Sequence, residues 1–257
     1  MCYNYKIYMK GLNRKSEVNE ANSGLNLLYQ PIMEPAKNLL VGYECLLRIY
    51  DMELGVLTPD MFMEVAQKDV KLIKRLEDWS IEEVLKTSKR LAGQGLGILA
   101  VNISTKHFQD NDFVETTSRI IEKSGFKPNN IYFELKEDAL QMPCTEITAK
   151  IAALKNLGIK IAIDGFTAPQ DGGQPKCEFG LDMVKLPINI VKDFMTDRDA
   201  RLQLRAVILY AKQRDIEVIA LGVETKEQEE ALLKLGVRKM QGYLYSKPLT
   251  DKNIGSL

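Results

Sequence analysis

The stretch Ile161–Pro187, IAIDGFTAPQDGGQPKCEFGLDMVKLP, sets two short apolar runs on either side of a loop made of glycine, proline and polar residues. The first run ends on a carboxylate, Asp164, and the second carries Lys185 near its end. Apolar runs of this length, bounded by turn residues, read as strands buried on both faces, as in parallel sheets. Moving outward, the same kind of run recurs: LNLLYQPI, LLVGYECLL, GILAVNIS and NIYFEL come before it, IEVIALG and VRKMQGYLY after it. Longer amphipathic stretches lie between. Leu72, Ile73, Leu76, Trp79 and Val84 share one helical face, EITAKIAALKNLG is a helix closed by Gly158, and helices are expected around 198–214 and 226–235. Thr58-Pro59-Asp60 reads as a helix start capped by the threonine. Eight strand-like runs over about 230 residues fit a (β/α)8 barrel of the TIM type. The first two runs follow each other directly, which implies one antiparallel strand near the start. A doubly wound sheet is the alternative, but no G-x-G-x-x-G loop supports it. Residues 1–24 are polar and aperiodic and read as a tail or lead-in, leaving 25–257 as one domain.

Composition narrows the chemistry. A chain of 257 residues with 45% hydrophobic content can bury a large core. Lys+Arg and Asp+Glu are 35 each and no basic tract stands out, so neither DNA, RNA nor an anionic membrane surface is an expected partner. No apolar run approaches the roughly 20 residues of a membrane span. Residues 1–24 hold no continuous apolar segment for a secretory signal, so a cytoplasmic location is expected. The four cysteines (Cys2, Cys45, Cys144, Cys177) are far apart and form no CxxC pair; they read as free thiols and not as a zinc site. The single histidine, His107, follows V-N-I-S in a helix-start region and reads as a surface residue. Histidine-based catalysis is thereby largely excluded. Chemistry here must run on carboxylates, lysine and bound metal.

In a barrel the reactive groups sit at the C-terminal ends of strands. Those positions hold Glu44, Asn102, Glu134, Asp164, Lys185, Glu224 and Gln241, with Gln30 on the opening strand. Each alone reads as a cap or a solvated strand end. Together they are costly at the rim of an apolar core unless paired or metal-bound. Glu44, Asn102, Glu134 and Asp164 form an all-oxygen set that suits Mg²⁺ or Mn²⁺ and does not select zinc. Glu224 has two readings, a cap for the helix starting near Thr225 and a metal-site group.

The motifs Y-Q-P-I at 29–32, E-C-L-L-R at 44–48, V-N-I-S at 101–104, E-L-K-E at 134–137, V-K at 184–185, G-V-E-T at 222–225 and Q-G-Y-L-Y-S-K-P at 241–248 resemble the EAL domain. The resemblance runs from about Leu25 to Thr250. That family hydrolyses cyclic di-GMP, a bacterial second messenger, to the linear dinucleotide on a (β/α)8 barrel. It implies that Glu44, Asn102, Glu134 and Asp164 hold a first metal and that Gln30 and Arg48 contact the dinucleotide, Arg48 through a phosphate oxygen suited to its planar fork. By the same resemblance Gln241 and Pro248 line a guanine, Lys185 positions the attacking water and Glu137 braces the loop after the strand IKIAID. Cys45 replaces the signature alanine and changes little.

The departures bear on activity. Where the family carries two adjacent aspartates followed by F-G-T-G-Y-S-S-L and a short helix, this chain has Asp164-Gly165 and then FTAPQDGGQPKCEF. Where the family has A-E-G-V-E, this chain has A-L-G-V-E, with Leu221 at the first glutamate; where it has K-I-D, this chain has Lys185-Leu186-Pro187. The family's second metal leans on the second aspartate and that first glutamate. The expectation is a degenerate member with at most one metal, a vestigial Lys185, Glu137 and Glu224, and a role as a cyclic di-GMP receptor or protein-binding regulator. A weakly active phosphodiesterase and a scaffold that binds neither nucleotide nor metal are the alternatives. The connection 165–180 is expected to be irregular and not helical.

Overall fold

The computed structural model describes residues 24–51, 55–59, 61–62, 69–93, 97–168 and 177–254. Its strands are β1 (Leu25–Glu34), β2 (Leu39–Asp51), β3 (Gly55–Leu57), β4 (Ile98–Ile103), β5 (Ile131–Lys136), β6 (Lys160–Asp164), β7 (Met183–Leu186), β8 (Glu217–Ala220) and β9 (Lys239–Met240). The helices are α1 (Val70–Arg90), α2 (Thr105–Gln109), α3 (Phe113–Ser124), α4 (Cys144–Asn156), α5 (Ile188–Asp193), α6 (Arg198–Gln213) and α7 (Lys226–Lys234). The hydrogen-bonded order β1-β9-β8-β7-β6-β5-β4-β2 closes on itself through β1–β2, and β3 extends the outer edge of β2. The result is a (β/α)8 barrel in which β1 runs antiparallel to both neighbours. Only a 3-10 turn, Pro35–Lys37, and Asn38 at φ 48° separate β1 from β2. So short a link can only reverse the chain, whereas parallel neighbours need a crossover. The parallel ladder then runs from β2 through β4 to β9.

The two-residue period of each strand decides what faces inward. Ile32, Ile98, Ala100, Tyr132, Ala162, Met183 and Ile219 fill the barrel interior as one apolar cluster. The alternate residues, such as Ile131, Phe133, Leu135, Ile161, Ile163 and Val184, face the helices in the larger cluster. One step of two beyond the inner apolar layer brings Asn102, Glu134, Asp164 and Lys185 onto the same inner face. β1 runs the other way, so Gln30 reaches this level by pairing with Glu44. Gly42 lets β2 approach β4, because a Cβ there would lie 2.1 Å from the Ile98 carbonyl oxygen.

Two expectations need correction. VRKMQGYLY is not one long strand; its ladder is confined to Lys239–Met240. Beyond it the chain crosses the end of β8 so closely that a Cβ on Gly242 would lie 2.0 Å from Val223 O, and it turns, with Tyr245 N–H donating to Gly242 O. His107 is not at the surface: it is fully buried, its Nδ1 2.8 Å from Glu77 Oε2 on α1 and its ring against Phe113. The helix-start residue is Ser104, whose side chain caps α2, so three residues later the chain has already turned inward.

The remaining expectations concern segments only partly described. The helix expected at Thr58 begins there, Met61 N–H donating to Thr58 O, and its continuation at 63–68 lies outside the described residues. So does the lead-in, apart from Gly24. Residues 165–168 and 177–180 form no helix, and 169–176 lie outside the described residues.

Candidate functional site

Glu44 is the hub of the barrel mouth. Its Oε1 accepts from Asn102 Nδ2 at 3.0 Å, and its Oε2 accepts from Lys185 Nζ at 2.6 Å and from Gln241 Nε2 at 2.9 Å. The same Lys185 ammonium donates to Glu134 Oε2 at 2.9 Å. Residues from β2, β4, β5, β7 and the segment after β9 thus converge within hydrogen-bonding distance. Gln30 fixes the rim, donating through Nε2 to the Ser246 carbonyl at 2.6 Å.

Lys185 and Glu134 are each 1% exposed. Burial alone would raise the Glu44 carboxyl, but the Lys185 charge and the hydrogen bonds from Lys185, Asn102 and Gln241 outweigh it and hold Glu44 at about 2. Glu134 goes the other way. Burial and the Glu44 charge push it up to about 8 against the pull of Lys185. Burial acts to lower Lys185, but the charges of Glu134, Glu44 and Asp164 prevail and raise it, so it stays cationic. One ammonium therefore serves three acidic neighbours.

Glu134 Oε1 is buried without a hydrogen-bond partner. That orphaned oxygen, the surplus of negative charge and the all-oxygen donors fit a hard divalent cation held by Glu44, Asn102, Glu134 and Asp164. The donors are not gathered in advance. Among the described residues no three carboxylates, histidines or cysteines stand close enough to hold a metal by themselves. Asn102 points its amide nitrogen at Glu44, so it would have to turn to offer Oδ1 to a cation.

Above the ring opens a cavity of about 680 Å³, lined by Gln30, Arg48, Glu224, Gln241 and Pro248 over a floor of Glu44, Asp164 and Lys185. This is within the range of small-ligand sites. Asn102 lines a neighbouring cavity, of about 410 Å³, between the barrel and α1. Glu224 is not the cap of α7: Thr225 caps it through a capping box with Gln228, leaving the Glu224 side chain at the mouth. Glu137, in the 3-10 turn after β5, accepts from Thr167 N–H and Oγ1–H at 2.8 Å each and so ties down the start of the connection after β6. The same cavity wall contains Gly165, Pro187 and Leu221. Gly165 sits at φ +70° with open space around it, and Leu221 packs onto the apolar barrel interior. Neither supplies a side-chain oxygen.

Sequence reasoning passed over Ile188 and Tyr243, which line the cavity although they are 59% and 64% exposed. Ile188 directly follows Lys185-Leu186-Pro187, and Tyr243 lies inside Q-G-Y-L-Y-S-K-P, so both were within reach of the motifs.

The EAL domain family model matches residues 15–248. The oxygen sensor protein DosP of Escherichia coli (strain K12) is 28% identical over 236 residues, 91% of this chain and 29% of that protein. The cyclic di-GMP phosphodiesterase RocR of Pseudomonas aeruginosa is 27% identical over 233 residues, 90% of this chain and 59% of that protein. The chain thus spans 29% and 59% of the length of these two relatives, less than two thirds of either. Among solved structures, the PaMucR phosphodiesterase in its c-di-GMP complex superposes with a TM-score of 0.82 at 22% identity, covering 97% of this chain and 98% of that one. The FimX EAL domain from Pseudomonas aeruginosa bound to c-di-GMP gives 0.78 at 20% identity, covering 95% and 96%. At these identities the likeness is one of fold.

Proposed function

The chain belongs to the EAL domain family, and on that premise we propose that it is a degenerate member, a cytoplasmic cyclic di-GMP receptor or protein-binding regulator that has lost hydrolysis. The observation that carries this reading is the pair Gly165 and Leu221 in the wall of the mouth cavity, where the resemblance places the second metal's carboxylates. In-line cleavage of a phosphodiester calls on paired cations that clamp the attacking and leaving oxygens and acidify water. Gly165 and Leu221 have nothing to hold the second of them.

The binding half of the machinery remains. Gln30 is held at the rim by Ser246, Gln241 is locked to Glu44, and Arg48 lines the same cavity, where its guanidinium would take a phosphate oxygen. Glu44, Asn102, Glu134 and Asp164 would hold one Mg²⁺ or Mn²⁺, which when bound polarises a phosphate oxygen. Lys185, buried and cationic, would orient a water or a phosphate oxygen, and Glu137 keeps the Asp164–Thr167 turn in place.

A second reading, a weakly active metal-dependent phosphodiesterase, is favoured by the intact Lys185–Glu44–Glu134 cluster. In a scaffold binding neither nucleotide nor metal, these buried charges would serve only as a structural ion-pair cluster. Titration calorimetry with cyclic di-GMP, with and without Mg²⁺, alongside a product assay separates the three. Binding without linear product is the expected result; turnover by the unmodified protein would favour the second reading, and no binding the third.

A further inference from the structure

We infer that Glu77 on α1 and His107 on α2 are positioning residues that hold the end of β4 so that Asn102 reaches the cation, a role that rests on the single-cation reading of the mouth. Neither side chain belongs to the ligand set, and neither would touch the nucleotide.

A brace is needed where β2 and β4 part. Their ladder ends at the pair Cys45–Val101, whereas β4 runs on to Ile103. On its other side Asn102 and Ile103 stay paired with Glu134 and Leu135 of β5. Beyond Val101 the cavity of about 410 Å³ opens, lined by Leu46 and Leu47 of β2 together with Asn102, Ile103 and Ser104. There the end of β4 has lost its ladder to β2, and its backbone donors must find partners elsewhere.

Glu77 supplies that partner from a helix. Its Oε1 accepts from Ser104 N–H at 3.0 Å, two residues beyond Asn102. Its Oε2 stands 2.8 Å from His107 Nδ1, and because a carboxylate only accepts, the ring donates. His107 is fully buried against Phe113, and its Nε2 faces Asp78 Oδ1 at 3.4 Å without a hydrogen bond. Among the described residues the ring's hydrogen bond is therefore the one to Glu77, which it aims at Ser104. His107 N–H in turn donates to Ser104 Oγ at 3.3 Å, closing a circuit of Glu77, Ser104 and His107. From the β5 side, Thr105 donates to Asp138. The turn after β4 is thus gripped from both flanks, by α1 on one and by the turn after β5 on the other.

The cation makes this grip matter. Asn102 donates to Glu44 through Nδ2 and must turn its amide to offer Oδ1, so the backbone beneath it has to stay in place. Mg²⁺ accepts oxygens only near about 2.0–2.1 Å, so a strand end that drifts by a fraction of an ångström forfeits a ligand. Groups that support ligands from behind typically alter metal affinity by roughly 10–100-fold.

Mg²⁺ calorimetry on the full-length chain tests the role, with the melt of each variant measured alongside. Glu77→Ala should weaken Mg²⁺ binding by roughly tenfold. Glu77→Gln, which can still accept from Ser104 N–H, should bind like the wild type. Leu72→Ala, buried on the same helix but outside the cavity lining, should lower the melting temperature and leave binding unchanged. In an Asn102→Ala background Glu77→Ala should weaken binding no further, because its effect passes through Asn102. Should Glu77→Ala fail to fold, Ser104→Pro removes the same N–H with Glu77 and His107 in place. Ser104 sits at φ −68°, which suits a proline ring, and this variant should show the same loss. Wild-type binding that neither Glu77→Ala nor Ser104→Pro weakens would overturn the positioning role alone. An equal loss in Leu72→Ala, or a further loss in the Asn102→Ala background, would do the same. A wild type that takes up no Mg²⁺ would overturn the cation reading together with it.

Discussion

Lys185 on β7 holds its ammonium 2.6 Å from Glu44 Oε2 on β2, joining residues 141 positions apart across the barrel mouth. The same nitrogen reaches Glu134, so one buried cation binds two strands that do not touch each other in the ladder. The pair ties the barrel mouth together and sits among the residues that would take a metal. Its energetics can be tested from both sides.

Replacing Lys185 with Met leaves Glu44 and Glu134 without their shared cation. Removing one partner of a buried pair costs about 3–5 kcal/mol, because the remaining charge cannot be resolvated. In chelator the variant should unfold at distinctly lower urea than the wild type, and Mg²⁺ or Mn²⁺ should recover part of the loss. An equal loss with and without the cation would show that Glu44 and Glu134 do not bind it. Calorimetric titration of the wild type should give no more than one cation per chain.

The pH dependence follows from Glu134 and Glu44 moving in opposite directions. Glu134 rises from an ordinary 4.5 to about 8, so its contribution to stability is complete below 4.5 and is lost as pH climbs through about 8. Glu44 falls from 4.5 to about 2, so its contribution is present above 4.5 and is lost as pH drops toward 2. The metal-free protein should therefore lose stability between about pH 4.5 and 8 through Glu134. A bound cation needs that carboxyl ionised, so Mg²⁺ binding at pH 7 should release a proton and at pH 9 should not. Calorimetry in two buffers of different ionisation enthalpy measures this; heats independent of buffer at pH 7 would remove Glu134 from the ligand set.

If hydrolysis is missing because the second cation has lost its anchors, restoring them should bring some activity back. Gly165→Asp and Leu221→Glu should each do little alone, since ligands of one site act as a unit. The double variant should hydrolyse cyclic di-GMP with Mg²⁺ or Mn²⁺, and adding Asp164→Ala should abolish the gain. The structure sets the cost. At φ +70° an aspartate has open space but adopts the left-handed region, at a cost of roughly 1 kcal/mol. A glutamate at 221 leaves the apolar layer that Leu221 joins. Circular dichroism on each variant separates failure to fold from failure to act. A folded, cation-binding double variant that stays inactive would move the defect to the connection after β6 or to Leu186-Pro187.

Gly242→Ala should be worse than its size suggests. The added Cβ would lie 2.0 Å from Val223 O and 2.3 Å from Val223 N, both backbone atoms that cannot rotate away. A loss of about 3 kcal/mol or more is expected from forced overpacking, together with loss of nucleotide binding as Gln241 is displaced. Gln241→Ala removes one hydrogen bond to Glu44 and should weaken cyclic di-GMP binding at a much smaller cost in melting temperature. A Gly242→Ala protein that melts like the wild type would show that the crossing relaxes freely.

The alternation of buried runs and amphipathic stretches determined the barrel, because a parallel strand covered on both faces leaves its mark in local composition. The antiparallel β1 was legible for a similar reason: too few residues separate Glu34 from Leu39 for any crossover. Asn102, Glu134, Asp164 and Lys185 were legible as candidates, since a period of two carries each onto the inner face above the apolar layer. Other features had no local signal. His107 looks like any polar residue near a helix start, and only the packing of α1 against α2 supplies the Glu77 carboxylate that makes its burial tolerable. The end of the β9 ladder depends on how closely Gly242 passes Val223, which lies 19 positions earlier in the chain. Glu44 and Glu134 carry the same side chain, yet one is held at about 2 and the other pushed up to about 8. That difference arises from how one ammonium and two amide donors are shared among carboxylates on different strands. Periodicity is a property of neighbours in the chain. Burial, charge and close approach are properties of neighbours in space, and only the closed barrel brings those together.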